Sequence, residues 1–132
     1  MKNIDSTLFS ERICKYLQEL ESGNVAGVLA LFTPDARIHS PLLGWVTPAP
    51  FYSKLAEASG DSKIKLLDIC SSIQGNARAV AYFTYDWQLK DGSRVSFDCV
   101  DVFDFNEEGL IDNMVIVYDT HSIRGDLGDR FR

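Results

Sequence analysis

Residues 77–105 read ARAVAYFTYDWQLKDGSRVSFDCVDVFDF, and their alternation decides the fold. In Ala77–Lys90 the odd positions are Ala79, Ala81, Phe83, Tyr85, Trp87 and Leu89, while the even ones include Arg78, Thr84, Asp86 and Gln88. In Arg94–Phe105 the odd positions are Val95, Phe97, Cys99, Asp101, Phe103 and Phe105. Successive side chains of a strand point to opposite faces, so each segment reads as a strand with one apolar face. Aligning those faces across the turn requires a loop with an odd number of residues. Asp91-Gly92-Ser93 with a bulge meets that need and sets Phe83 opposite Asp101. The same logic gives a four-residue loop at Asn106–Gly109. It brings Met114, Ile116 and Tyr118 to the inner face, with Met114 opposite Asp101.

Working outward, Lys63–Ile73 and Leu110–Asp119 also read as strands, with turn signals at Gly75-Asn76, Asp91-Gly92 and Glu108-Gly109. The chain before them has helical spacing instead. Phe9, Ile13, Tyr16, Leu17 and Leu20 form one apolar face, with Asp5, Ser6 or Thr7 as its cap and Ser22-Gly23-Asn24 as its end. Asn24 opens a second short helix, Val25–Phe32, which Thr33-Pro34-Asp35 breaks. Ala36–Ser40 is a short strand and Pro41–Val46 a loop. Thr47-Pro48 starts a third helix that ends near Ser59-Gly60. Helices first and a meander last predict an α+β fold: about three N-terminal helices against a curved antiparallel sheet.

Composition bounds the function. A chain of 132 residues with 45% hydrophobic content is expected to form one domain, 1–132, with a sizeable core. Its longest apolar run, Val25–Phe32, is too short to span a bilayer, and no signal peptide is visible; a cytoplasmic protein without membrane contact is expected. The net charge of -6, with acids and bases interspersed, argues against a nucleic-acid partner. Cys14, Cys70 and Cys99 are scattered among apolar residues and read as buried thiols. With His39 and His121 as the only histidines, no metal-ligand spacing exists. There is no phosphate loop or nucleophile elbow, so no cofactor is expected.

Two features break the pattern. Asp101 interrupts an inner face otherwise made of Phe97, Cys99, Phe103, Phe83 and Met114, where an ionised carboxylate is costly. It is either a structural acid tied to a donor or a neutral acid that donates to a ligand oxygen. On the outer face Val80, Tyr82, Val100, Val102, Val115 and Val117 form an apolar patch, expected to pair two copies unless the tail after Thr120 or a helix covers it.

The stretch from Tyr16 to Pro41, YLQELESGNVAGVLALFTPDARIHSP, and the later Val100–Asn106 run with Gly109 and Met114 carry a resemblance. Both are similar to the SnoaL-like and ketosteroid-isomerase-like proteins of the nuclear-transport-factor-two-like superfamily, over about Phe9 to Tyr118. The resemblance implies a cone-shaped roll with a pocket inside and dimerisation through the sheet. It implies catalytic roles for Tyr16 and Asp101 as two donors to a substrate oxygen, Asp101 being protonated. The family's proton-transferring carboxylate falls on Ser40, whose hydroxyl is no base near neutral pH. His39 is the neighbouring titratable group, although alternation turns it away from Ser40. Asp119 and His121 are weaker candidates. Tyr52 could add a donor at the pocket mouth. Phe83, Tyr85, Phe97 and Cys99 are expected to line the wall for an apolar small molecule. So are Phe103, Met114, Ile116 and Tyr118. The resemblance covers isomerases, cyclases, dehydratases and non-catalytic binders. Two alternatives to catalysis therefore stay open, a ligand-binding module and an accessory subunit docking through its sheet.

Overall fold

The inward alternation of the long strands is realised in full. The computed structural model describes residues 6–120. Three helices, α1 (Ser6–Ser22), α2 (Val25–Leu29) and α3 (Pro48–Ala58), accompany six strands. These are β1 (Phe32–Ser40), β2 (Gly44–Val46), β3 (Lys63–Ser71), β4 (Arg78–Gln88), β5 (Arg94–Phe105) and β6 (Ile111–Tyr118). They form one unclosed sheet in the order β2-β1-β6-β5-β4-β3. Every neighbouring pair is antiparallel except β1 and β6, which run parallel. That pair brings the first strand beside the last and makes the sheet mixed.

On β4 the residues Ala79, Ala81, Phe83, Tyr85 and Trp87 are buried; on β5 Val95, Cys99, Asp101, Phe103 and Phe105 are. The loop lies one residue earlier than expected, which moves every cross-strand partner by two. The loop is Lys90-Asp91-Gly92, closed by Leu89 N–H to Ser93 O at 2.8 Å. A three-residue hairpin loop needs its left-handed residue last, and Gly92 has φ +91°. Ala81, not Phe83, therefore lies opposite Asp101. The β5–β6 loop is three residues rather than four, Glu107-Glu108-Gly109, closed by Asn106 N–H to Leu110 O at 2.8 Å. A register shift beyond Phe105 then restores the inward parity of β6. Ile116 faces Asp101 and Met114 faces Phe103, a correction to the expected Met114–Asp101 pair.

Elements near the start differ more. The second helix stops at Leu29, and Phe32 already belongs to β1. Pro34, expected to break the chain, sits where the β1–β6 register shifts between Phe32 and Arg37. A proline without an N–H is tolerated at such a break. Within the expected loop Pro41–Val46, Gly44–Val46 forms the edge strand β2. The cap position Asp5 and the tail beyond Thr120 lie outside the described residues. Cys14 and Cys70 are exposed; only Cys99 is a buried thiol. Among the described residues no helix is long and apolar enough to cross a membrane.

The helices are held over the sheet by specific contacts. Phe9 of α1 stacks on Phe105 with ring centroids 4.6 Å apart, and Tyr16 meets Phe103 edge-on at 5.3 Å. Gly23, at φ +74°, ends α1: its N–H bonds Leu20 O and the Asn24 N–H bonds Glu19 O. The Asn24 side chain then caps α2 by accepting from Gly27 N–H at 3.1 Å. The end of α3 is fastened to β4. Trp87 Nε1–H donates to Ser59 Oγ at 2.7 Å, Gly60 N–H to Gln88 O at 2.7 Å, and Lys90 N–H to Ala58 O at 3.0 Å.

Gly23→Ala tests the α1 terminus in isolation, because a Cβ there meets nothing within 4 Å. The expected loss is about 1 kcal/mol, from left-handed backbone strain alone, read by urea denaturation. An unchanged midpoint would show that the turn is not constrained as described.

Candidate functional site

Between α1, α3 and the inner face of β4–β6 lies a chamber of about 180 Å³. Its walls are overwhelmingly apolar and aromatic. From the strands come Phe83, Tyr85, Phe97, Cys99, Asp101, Ile116 and Tyr118; from α1, Tyr16; from α3, Tyr52; and from the end of β1, Ser40. All ten were expected at the site from the sequence. Phe103 and Met114, expected beside them, are fully buried and do not line the chamber. Phe103 is covered by the Tyr16 ring, and Met114 Sδ accepts from Tyr52 O–H at 3.7 Å.

Its polar groups are few. Tyr16 and Tyr52 share a 2.6 Å hydrogen bond between their hydroxyls, in which either can donate. Tyr52 is only 2% exposed, so it sits deep rather than at the mouth. Burial raises the pKa of both phenols well above the usual tyrosine value, reinforced at Tyr16 by Tyr52 and Asp101. Both are neutral donors at any ordinary pH. Asp101 is equally buried, and its partner is the Cys99 thiol, with Sγ donating to Oδ1 at 3.2 Å. Burial pushes the Asp101 carboxyl up to about 7, and the thiol offsets this only in part. A thiol is a weak donor, which is why the acid keeps a raised pKa instead of a depressed one. Burial and the adjacent acid in turn raise the Cys99 pKa, so this sulfur is no thiolate nucleophile. Burial also pushes Tyr85 and Tyr118 up to about 12.

Ser40 lines the chamber at the position the resemblance gives to a carboxylate base. Its Oγ accepts from Leu42 N–H at 3.3 Å and Leu43 N–H at 3.4 Å, closing the turn after β1. His39 is on the outer side, packed edge-on against Trp45 at 5.0 Å and absent from the chamber lining. Asp119 does not line it either, and His121 lies outside the described residues. Several wall residues escaped the sequence reading. Phe51, Leu55 and Ala58 lie on one face of α3 at helical spacing, a signal that was available; Leu42 and Leu43 come from a loop and carried none. Among the described residues no group of three or more His, Cys, Asp or Glu is placed to hold a metal.

An open sheet folded over helices, with an apolar chamber and a few polar groups on its inner wall, defines a pocketed α+β cone. A family model described as a SnoaL-like domain matches residues 13–114. The chain therefore belongs to the SnoaL-like family. Solved structures agree on the fold. One is described as an epoxide hydrolase/cyclase-like enzyme, SalBIII, with a role in pyran ring formation in polyether salinomycin. It aligns with a TM-score of 0.76 at 19% identity, over 89% of this chain and 95% of that one. Another, AclR, described as a putative hydroxylase from Streptomyces galilaeus, aligns with a TM-score of 0.77 at 15% identity, over 95% of this chain and 83% of that one. A search of the curated proteins finds no match.

The raised Asp101 pKa has a consequence for stability. The native state holds this proton up to about pH 7, whereas an unfolded aspartate releases it near 3.8. Stability from this group is therefore full below pH 4 and falls as pH rises to about 7, by roughly 4 kcal/mol in all. Urea denaturation across pH 4–8 should show that decline in the wild type and a flatter profile in Asp101→Asn. Parallel profiles would mean that Asp101 is ionised in the native state.

Proposed function

We propose that this protein is an enzyme of the cyclase or isomerase type acting on a small apolar molecule, with Tyr16 and Asp101 polarising one substrate oxygen. The observation that carries the reading is the pairing of neutral donors in an otherwise apolar chamber, where Asp101 has no donor stronger than a thiol. Such donors act strongly on developing negative charge because their apolar surroundings screen it little. When a ligand oxygen arrives, Tyr16 turns its proton to the ligand, and Tyr52 gives up the weak Met114 acceptor to donate to Tyr16. Asp101 supplies the proton. With a pKa of about 7, it is matched to acid–base work near neutrality. The proton moves to the substrate oxygen as negative charge grows there. The Asp101 carboxylate recovers one from the attacking hydroxyl, or from the acidic carbon, of the same substrate. Proton count is thereby conserved without a second carboxylate, and Ser40 is left to its turn.

Size narrows the ligand. An engineered protein cavity of about 150 Å³ holds benzene, so 180 Å³ suits one or two rings. The neighbour described in terms of pyran ring formation makes cyclisation by intramolecular hydroxyl attack the favoured chemistry. A second reading, non-catalytic binding, is favoured by Ser40 at the position where the resemblance expects a base. The two differ in turnover, not in oxygen recognition.

The fluorescent phenol 2-naphthol tests the donor pair. Affinity should fall as pH rises through about 7 in the wild type, because the ionised Asp101 can no longer donate. In Asp101→Asn that dependence should vanish, and in Tyr16→Phe affinity should drop about tenfold or more. Equal, pH-independent binding by all three proteins would remove the donor role.

We further propose that two copies pair through the outer face of the sheet. Val80, Val102 and Val115 align across β4, β5 and β6, as do Tyr82, Val100 and Val117. Tyr82 and Val117 are 41% and 50% exposed. Light scattering at micromolar concentration should give twice the chain mass, and Val117→Lys with Val102→Lys should give the chain mass. A wild-type monomer would end this proposal.

A further inference from the structure

The inner face of the sheet gives each residue a fixed set of neighbours, and the set around Asp101 is unequal. Across the ladders it faces Ala81 on β4 and Ile116 on β6. Along its own strand, two residues away on the same face, stand Cys99 and Phe103. Three of these four carry no polar side-chain atom. Cys99 is the exception, and its Sγ lies 3.2 Å from Asp101 Oδ1. Both residues are buried and both line the chamber. Among the described residues no hydrogen bond reaches Asp101 Oδ2. The titratable groups that face the carboxyl from other elements are Tyr16 of α1, Tyr52 of α3, Tyr85 of β4 and Tyr118 of β6, and none of them bonds it. Lys54 of α3 also lines the chamber, but it is exposed and makes no ion pair among the described residues.

This arrangement gives the two carboxyl oxygens different work. A thiol that gives its hydrogen to Oδ1 makes that oxygen the acceptor, so the acid proton resides on Oδ2. When the proton leaves Oδ2, negative charge spreads to Oδ1, and a hydrogen bond to a charged oxygen is roughly twice as strong as one to a neutral oxygen. The thiol bond therefore tightens as the acid gives up its proton. Residue type matters here. A hydroxyl at position 99 donates more strongly and holds the acid ionised to lower pH, whereas an aliphatic side chain anchors neither oxygen. The sulfur keeps its own hydrogen throughout, because burial and the adjacent acid raise the thiol pKa.

We propose that Cys99 is a positioning residue for Asp101: its thiol anchors Oδ1 and leaves Oδ2–H as the end that meets the substrate oxygen. This rests on the reading of Asp101 as the proton donor given above. The step is the transfer of one proton from Oδ2 to the substrate oxygen, with the S–H bond intact before and after it. Cys99 thus acts through Asp101 and forms no bond to substrate.

The test follows the Asp101 carboxyl of the full chain by carbon NMR across the pH range, its signal assigned by its loss in Asp101→Asn. The wild-type midpoint should lie at about 7. Cys99→Ser should lower it by about half to one pH unit, and Cys99→Val, which has no donor, should raise it by about as much. At about pH 5, where the carboxyl is protonated in all three chains, Cys99→Val should weaken 2-naphthol binding about threefold or more. Cys99→Ser should keep it within about twofold, because a donor still holds Oδ1. If the valine chain does not fold, the midpoint of Cys99→Ser decides alone. A wild-type midpoint near 7 that stays in place in the variants, or equal loss of 2-naphthol binding in both, would overturn the positioning role and leave Asp101 as the donor. A wild-type midpoint at about 4 would instead remove Asp101 as a neutral donor, and this inference with it.

Discussion

A carboxyl group held away from water, with only a thiol to bond, is the constraint around which the rest of this structure is arranged. Raising the Asp101 pKa requires an apolar inner face, and β4, β5 and β6 supply one by placing aromatic and aliphatic side chains at every second position. It also requires that no stronger donor come close. Tyr16 and Asp101 both line the chamber, yet the Tyr16 hydroxyl bonds to Tyr52 and the Asp101 carboxyl to Cys99. A direct phenol–carboxylate bond would pull the acid down. The separation leaves the two groups on one chamber wall, each bonded to a different partner. The cost falls on the fold, and the stacked and edge-on rings of Phe9, Phe105, Phe103 and Tyr16 offset it with close aromatic packing.

The face each strand residue occupies was legible in the sequence, since period-two alternation is local and robust. So were Asp101 as the exception, Tyr16 on the buried side of α1, and the ends of α1 and α3. What alternation does not encode is depth. Phe103 and Met114 share a face with Cys99 and Ile116, but the rings of Tyr16 and Tyr52 lie over them and close off the chamber there. Which inner residue meets a helix and which meets empty space depends on packing between elements far apart in sequence. The partners across two turns differ from expectation by two residues for a related reason. The left-handed glycine fixes where a three-residue loop ends, and that local demand overrode the simpler count of loop residues. The edge strand β2 was missed because three residues are too few to show a period.

The third helix ties the parts together. It carries Tyr52 into the chamber and Phe51, Leu55 and Ala58 onto its wall. Its end is sewn to the β4–β5 hairpin through Trp87, Gln88 and Lys90. A helix of 11 residues has little stability alone, so its position is set by these bonds and by the proline at its start. The position of Tyr52 in the phenol pair is consequently tied to the hairpin to which α3 is fixed.

The turn after β1 has an evolutionary meaning. Ser40 holds it by presenting an oxygen to the backbone N–H groups of Leu42 and Leu43. An aspartate satisfies the same two groups equally well, because both residue types make this kind of turn. The backbone is thus indifferent to which of them stands there, although one has a carboxylate and the other does not. Proton-transfer capacity at this position can be gained or lost in descent without disturbing the scaffold.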